Sequence, residues 1–403
     1  MSKLQSFPRR LPPLVAFAAT ALLLSGCIVP PEGPASSATG SPVPYETSSP
    51  HTPTSPTATA VAGYYHACRE SGSGTVDCWG DNEFGQVGDG TTVDQPRPVP
   101  IPGATHAVQL SLGGGHTCAV FADGTASCWG SNAYGQLGDG TTTASATPSP
   151  VPGLMGVVQV SAGGGHTCAL VADGTVWCWG YNLNGALGDG TSTSSLVPQH
   201  VVGLSGVIQV AAGYTSTCAL HGNGTVSCWG DNTWGQLGDG TTAGSTTPVL
   251  VHSLTGATQI DLRYGHACAV RAGGTLSCWG NNDYSQLGDG TTTFRTLPVA
   301  VKGLADVTEV ATGTAHTCAL HADGTVSCWG LNNWGQVGDG TTTNRSVPTR
   351  ARGIADAVEV VAGEAFSCVL HEDGTASCWG DNTYGQLGHG TTTPSSVPVA
   401  VVG

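Results

Sequence analysis

Cysteine pairs recur along this chain with a strict period of fifty residues. The first cysteine of each pair lies at position 68, 118, 168, 218, 268, 318 or 368, and the second lies ten positions later. When the sequence is aligned on these cysteines, seven units of fifty residues run from residue 54 to residue 403 without an insertion. Such a period predicts one supersecondary unit that stacks on copies of itself.

Each unit contains four short apolar segments separated by turn residues. In the fourth unit these are "VIQVAAG", "TCAL", "VSCWG" and "TPVLV", and the Gly-rich stretch "DNTWGQLGDGTT" separates the last two. Four strands per unit and seven units predict an all-β, seven-bladed β-propeller. A solenoid would need atypical end units, which this sequence lacks. Residues 56–63 align with the strand that would follow the last unit, so we expect the N-terminal segment to fill that position and the ring to close between the N- and C-terminal units.

The turn between the second and third strands decides whether the two cysteines of a unit face each other. A two-residue loop at Asp123-Gly124 would place Cys118 and Cys128 on opposite faces of the sheet. A three-residue loop ending in Gly124 would place them on a non-hydrogen-bonded rung, where a Cα separation of roughly 4.5 Å permits a disulfide. Glycine occupies this position in all seven units while the preceding residue varies, which favours the three-residue loop. We therefore expect seven disulfides: Cys68 with Cys78, Cys118 with Cys128, Cys168 with Cys178, Cys218 with Cys228, Cys268 with Cys278, Cys318 with Cys328 and Cys368 with Cys378.

A metal site and reduced thiols are the alternatives for these cysteines. Histidine stands two positions before the first cysteine in five units, as His66, His116, His166, His266 and His316. Units four and seven have Ser216 and Phe366 there and keep both cysteines, and C-x9-C is not a usual zinc spacing. We expect no metal and no cofactor, and we expect each histidine to bond to a backbone group within its own blade. The aspartate of "GDGT", such as Asp89, is expected to form an Asx turn and not a calcium site.

The N-terminal residues predict export and lipidation. Basic residues precede the apolar run "LVAFAATALLL", which leads into "LSGC" ending at Cys27. This segment resembles the bacterial lipobox, which implies a lipoprotein signal peptide at 1–26 and lipidation of Cys27. An ordinary signal peptide or a membrane anchor is the alternative, although the run is short for a spanning helix. Residues 27–53 are rich in Pro, Ser and Thr, which predicts a disordered tether in front of the propeller at 54–403.

The repeated motifs resemble those of a known family. "HTCAL", "DGTV", "CWG" and "WG-x-N-x-x-GQLG-x-GTT" are similar to the RCC1 (regulator of chromosome condensation) repeat, and the likeness covers residues 54–403. It implies a seven-bladed propeller of RCC1 type. Guanine-nucleotide exchange on a small GTPase is the activity that named the family, but a cytoplasmic GTPase is not available to an exported domain. The resemblance also permits one sharper hypothesis, a binding protein that inhibits an enzyme, because secreted bacterial propellers of this family include inhibitors of β-lactamases; no residue of this sequence identifies such a target.

An aromatic residue occupies one position of the Gly-rich loop in six units. These residues are Phe84, Tyr134, Trp234, Tyr284, Trp334 and Tyr384, and the third unit has Asn184 instead. Aromatic residues displayed on a polar rim would form a binding surface for a protein or a sugar. Partial burial of the rings against the loop is the alternative.

The net charge of the chain and its lack of common catalytic motifs restrict its possible functions. The chain has 27 acidic and 12 basic residues and a net charge of −15, which disfavours nucleic acid and anionic membrane surfaces as partners. It contains no G-x-S-x-G, H-E-x-x-H or P-loop motif. We expect a monomeric, non-catalytic binding propeller in the cell envelope, outside the cytoplasm, attached to the membrane only through its lipid. Its loop rim would recognise an unknown protein or envelope component. An envelope enzyme acting on glycan or peptide is one alternative, and guanine-nucleotide exchange, by family resemblance only, is the other.

Overall fold

Seven four-stranded sheets make up the folded part of the chain. The computed structural model describes residues 59–71 and 74–402, and all regular elements in these ranges are β-strands. Each sheet is antiparallel and is built from one continuous stretch of sequence, which confirms the predicted seven-bladed propeller. The predicted signal peptide, Cys27 and the tether lie outside the described residues. None of the residues that the structure describes belongs to a helix capable of spanning a bilayer.

The seven first strands surround the axis, because each of them contacts the first strands of both neighbouring sheets. These innermost strands are β1 (Thr59–Ala62), β5 (Ala107–Leu112), β9 (Val157–Ala162), β13 (Val207–Ala212), β17 (Ala257–Leu262), β21 (Val307–Thr312) and β25 (Ala357–Ala362). The second strands are β2 (His66–Ser71), β6 (His116–Phe121), β10 (His166–Val171), β14 (Ser216–His221), β18 (His266–Arg271), β22 (His316–His321) and β26 (Phe366–His371).

The third and fourth strands complete each sheet toward the outside. The third strands are β3 (Thr75–Gly80), β7 (Ala126–Gly130), β11 (Val176–Gly180), β15 (Val226–Gly230), β19 (Thr275–Gly280), β23 (Val326–Gly330) and β27 (Ala376–Gly380). The outermost strands are β4 (Gln95–Pro100), β8 (Ser145–Pro150), β12 (Ser195–His200), β16 (Ser245–Leu250), β20 (Arg295–Ala300), β24 (Arg345–Arg350) and β28 (Ser395–Ala400).

The antiparallel strand order fixes which loops share a face of the propeller. The loops between first and second strands (63–65 and equivalents) and the Gly-rich loops between third and fourth strands (81–94 and equivalents) leave every sheet at the same end. We call this end the rim face. The hairpins between second and third strands leave at the opposite end, the hairpin face, where the first strands also begin.

A tryptophan from each third strand fills the space between neighbouring blades. Trp329 is fully buried among Leu276, Leu287 and Val301 of the preceding blade, and its Nε1 donates to the carbonyl oxygen of Gln286 at 2.8 Å. The equivalent residues are Trp79, Trp129, Trp179, Trp229, Trp279 and Trp379, all at most 1% exposed. The apolar core is therefore a ring of inter-blade clusters.

The hairpin has the geometry that its glycine predicts. The Phe121 amide donates to the Thr125 carbonyl at 2.9 Å, and Gly124 has a φ of +77°. The loop thus has three residues, and Cys118 lies directly opposite Cys128. The disulfide between them has a Cα separation of 4.1 Å, and the other six predicted pairs are bonded with separations of 4.0–4.1 Å.

Reduction of the protein is expected to add about 14 Da, two hydrogens for each disulfide. Intact mass spectrometry with Cys27 blocked beforehand measures this shift. An unchanged mass after reduction would show that the thiols are free.

Each bridge closes a short loop, so replacing Cys168 and Cys178 together by alanine should lower the free energy of unfolding by about 2.5–3 kcal/mol.

The ring closes by packing of the first sheet against the last. β1 is hydrogen-bonded to β2 within its own sheet and lies against β25 and β26. Across this junction the Glu364 amide donates to the Tyr64 carbonyl at 3.0 Å, and the Gly390 amide donates to the Pro96 carbonyl at 2.9 Å. The N-terminal segment therefore takes the predicted position, and among the described strands none is exchanged between sheets.

Side chains on the first strands join neighbouring blades around the axis. The Oε1 atom of Gln159 accepts from the Val210 amide at 2.9 Å, and its Nε2 donates to the Val210 carbonyl at 3.1 Å. Gln109, Gln209 and Gln259 make the same two bonds with the next blade. In the last two blades this position is glutamate: Glu309 accepts from the Val360 amide at 3.2 Å, and Glu359 accepts from the Ala60 amide at 2.7 Å. An ionised carboxylate has no proton to donate, so only glutamine provides both bonds.

Candidate functional site

The predicted aromatic residues lie on the rim face and are partly exposed. Phe84, Tyr284 and Trp334 are 37%, 46% and 43% exposed, whereas Tyr134, Trp234 and Tyr384 are half-buried. One side of the Phe84 ring packs against Gly115 of the next blade, where a Cβ would come within 3.3 Å of Cδ2. The Phe84 ring is thus both anchored to the neighbouring blade and open to solvent.

The Gly-rich loops that carry these rings are held by a buried asparagine. In the fourth blade, Asn232 Nδ2 donates to the carbonyl of Thr241 at 3.2 Å, and its Oδ1 accepts from the Leu237 amide at 2.9 Å. Asp239 Oδ1 accepts from the Thr241 amide at 2.9 Å, which is the predicted Asx turn. The Trp234 amide donates to Gln236 Oε1 at 2.9 Å. Because the loop backbone is fixed by these bonds, little ordering remains to be done when a partner binds.

The rim face is acidic. The seven Gly-rich loops contain twelve Asp or Glu residues and no Lys or Arg. The charge is densest in the first blade, where Asp81, Glu83 and Asp94 surround Phe84 in the sequence. Burial raises the pKa of Asp81 to about 6, and the neighbouring carboxylates of Asp94 and Glu83 contribute to this increase.

Three tyrosines and an arginine meet at the axis on the rim face. Tyr64 of the first blade stacks on Tyr214 of the fourth, with ring centroids 6.2 Å apart and planes inclined by 17°. Tyr264 of the fifth blade lies 5.2 Å from Tyr214. Arg263 Cζ lies 5.2 Å from the centroid of the Tyr64 ring, and its Nη2 donates to the Ala62 carbonyl at 2.7 Å. These four residues, the axial cluster, connect the first, fourth and fifth blades directly.

Two hydrogen-bond donors of the axial cluster are buried without a partner. They are the hydroxyl of Tyr64, a residue only 9% exposed, and Nη1 of Arg263; neither has a hydrogen-bond partner among the described residues. Burial also raises the pKa of Tyr64, so its phenol stays protonated. A buried donor without an acceptor costs about 1–3 kcal/mol. The axial cluster is therefore a site that an acceptor would stabilise.

Sequence reasoning missed the axial cluster, although a signal was present. The second and third units have two glycines, Gly113-Gly114 and Gly163-Gly164, where the first strand ends. The first and fourth units have Gly-Tyr at these two positions, and the fifth has Arg263-Tyr264. Departures of a loop from its own repeat would have identified these residues as candidates.

The histidines join neighbouring blades, which corrects the expectation of a backbone partner within one blade. His116 Nε2 lies 2.9 Å from the hydroxyl of Thr167 in the next blade, and that hydroxyl donates to the Gln136 carbonyl at 2.8 Å. Because the threonine proton goes to the carbonyl, Nε2 carries the ring proton. The same contact is made by His66, His166, His266 and His316, the last to a serine hydroxyl.

Where a blade lacks this histidine, the next blade lacks the threonine or serine that would be its partner. Ser216 faces a blade with Ala267 at the threonine position, and Phe366 faces a blade with Ala67. Burial lowers the pKa of His116 to about 3, so the ring is neutral. These histidines therefore stabilise the interfaces between neighbouring blades.

Within the described part of the chain, no group of three or more His, Cys, Asp and Glu side chains is placed to hold a metal ion.

The repeats of this chain match the model of a known protein family. The model of the RCC1-like domain matches residues 152–403. The chain belongs to this family. Models of the regulator of chromosome condensation (RCC1) repeat also match residues 73–120, 123–170 and 107–136. Among curated proteins, none matches the sequence.

Solved structures of three other chains share the fold. Yeast RCC1 (Prp20), in a crystal structure with Kap60, is 23% identical with a TM-score of 0.73, and the match covers 81% of this chain and 83% of that chain. Human WBSCR16 is 24% identical with a TM-score of 0.75, and the match covers 82% and 94%. Prp20p from Saccharomyces cerevisiae, studied with its binding to Gsp1p and histones, is 24% identical with a TM-score of 0.72, and the match covers 81% and 85%.

Proposed function

We propose that this RCC1-like propeller is a non-catalytic, lipid-anchored binding module of the cell envelope, and that its rim face binds a protein or envelope partner. The observation that carries the proposal is the set of partly exposed aromatic rings on rigid loops of one face. Large aromatic side chains in preorganised positions are typical anchors of protein interfaces. Neighbouring loop positions, such as Asp81, Tyr181 and Leu331, differ between blades, which suits recognition of one particular partner.

The proposed anchor at Cys27 precedes the first strand. β1 begins at the hairpin face, so the described chain starts at the end of the propeller opposite the aromatic rings. Metabolic labelling with an alkynyl fatty acid tests the anchor: label should appear on the native chain and be lost in Cys27→Ser. Equal labelling of both chains would refute lipidation at this residue.

Alanine at Trp234 and Trp334 is expected to reduce recovery of the partner at least tenfold, because truncated interface anchors cost about 2 kcal/mol or more each. The full chain, solubilised in detergent, is used to capture proteins from envelope extracts. Trp177→Ala is the matched control, since Trp177 is a half-buried tryptophan on the third strand β11, next to His200. Equal recovery with the double variant and the native chain would exclude the rim as the binding surface.

A further inference from the structure

Arg263 is a cation at the axis of a mainly acidic face, away from Arg295 and Arg345, which pair with Asp289 and Asp339 at the outer strands. It is the only Lys or Arg in the rim-face loops 63–65, 81–94 and their equivalents. Among the described residues it forms no ion pair, although Asp261 and Glu364 are near enough to interact with its charge. Asp261 is already engaged, since its Oδ2 accepts from the Thr312 hydroxyl at 2.8 Å.

The charge of Arg263 is only partly balanced by these two carboxyl groups. Burial raises the pKa of Asp261 and of Glu364, which favours their neutral forms. Arginine itself stays protonated throughout the usual pH range. A guanidinium that is held in place by one backbone bond and one aromatic ring, and that keeps a free Nη1, is well suited to bind an anion.

We propose that the axial cluster, formed by Tyr64, Tyr214, Tyr264 and Arg263, is a binding site for a carboxylate group. Nη1 of Arg263 and the hydroxyl of Tyr64 are the two donors that it would use. Tyr264 is 44% exposed and Tyr214 is half-buried, so both offer ring surface to an apolar or aromatic body that carries the carboxylate.

The surroundings select a carboxylate over other anions. Asp289 and Asp339 are paired with Arg295 and Arg345, and the other ten acidic residues of the Gly-rich loops have no ion pair among the described residues. Their charge repels a doubly charged anion such as a phosphate monoester more strongly than a singly charged carboxylate. A carboxylate also accepts two parallel bonds from guanidinium. The same group is present in free organic acids and in the acidic side chains of proteins, so the test must distinguish these sources.

Sodium benzoate is the first probe, because it joins one carboxylate to an aromatic ring. We expect saturable shifts of the Arg263 Nε–H resonance of the full chain in ¹H–¹⁵N NMR, with the resonance assigned by its loss in Arg263→Gln. The backbone amide resonances of residues 64 and 264 report binding in the native chain and in every variant. Affinity should fall at least tenfold in Arg263→Gln and about threefold to tenfold in Tyr64→Phe, which removes only the hydroxyl. The control variant Arg97→Gln, on the outer strand β4, should bind benzoate with native affinity.

The source of the carboxylate is tested with an acetylated and amidated Gly-Gly-Glu-Gly-Gly peptide and its glutamine counterpart. Tighter binding of the glutamate peptide than of benzoate indicates a protein side chain, and the reverse order indicates a free acid.

Benzamide has the same shape without the charge and should bind at least tenfold more weakly than benzoate. Equal binding of benzamide and benzoate, benzoate affinity unchanged in Arg263→Gln, or no shift with either carboxylate would each overturn the proposal. If Arg263→Gln does not fold, Tyr64→Phe and Arg263→Lys provide the same comparison. These measurements need no partner, so their outcome is independent of the rim experiment.

Discussion

A variant with glutamine at both Glu309 and Glu359 is expected to be more stable than the native protein at alkaline pH and to lose most of the native pH dependence between pH 6 and 9. Glutamine would make the two bonds that Gln159 makes with the next blade, at every pH. The native glutamates accept one bond each and can donate a second only when protonated.

The surroundings of these glutamates favour the protonated form. Burial raises the pKa of Glu309 to about 8, and the carboxylates of Glu359 and Asp261 add to the increase. Burial raises the pKa of Glu359 to about 7, although the Ala60 amide bond opposes this. In the unfolded chain both titrate near 4.5. Because the folded pKa is the higher one, their contribution to stability is complete below about pH 4.5 and is lost as pH rises through 7 and 8.

Equilibrium unfolding in urea at pH 6, 7, 8 and 9 measures the effect. At ~1.4 kcal/mol for each unit of pKa shift, the native protein should lose a few kcal/mol over this range, and the double variant should lose much less. Glu372→Gln, at an exposed site on the hairpin face, is the matched control and should follow the native curve. If the free energy of unfolding changed with pH in the same way for the native protein and the double variant, these glutamates would titrate normally.

Trp329→Ala is expected to reduce the free energy of unfolding by about 3–5 kcal/mol, the usual cost of removing a large buried aromatic side chain. Its ring fills the space between the fifth and sixth blades against Leu276 and Val301. Its Nε1 bond to the Gln286 carbonyl is also lost, but that oxygen keeps a bond from the Thr317 hydroxyl at 2.8 Å. The loss should therefore come mainly from the cavity.

Unfolding of this variant is followed by circular dichroism in urea with the disulfides intact. Trp329→Phe keeps most of the ring volume and should cost less than half as much as alanine. Trp177→Ala is the matched control, because Trp177 is half-buried and packs only against the edge of an inter-blade cluster; it should cost less than half as much as Trp329→Ala. If Trp177→Ala and Trp329→Ala were equally destabilising, stability would not depend on the inter-blade cores.

Features that depend on local geometry could be predicted from the sequence. The three-residue loop requires a left-handed backbone at position 124, which glycine permits, and this loop sets the hairpin register. The pairing of Cys118 with Cys128 therefore follows from a stretch of eleven residues. The burial of Trp329 could be predicted because every unit repeats an apolar residue in that place. The histidine partners could not, since Thr167 belongs to a different unit from His116 and reaches it only across a blade interface.

The sequence alone therefore determined the repeat, the strand order, the disulfides and the family, because each depends on contacts within a unit or on a pattern that seven units share. Only the tertiary structure decided where the units meet. Tyr64 and Tyr214 are 150 residues apart, and they stack because ring closure brings the first blade opposite the fourth. That geometry depends on the angles of all seven blade interfaces together, and no single unit contains it.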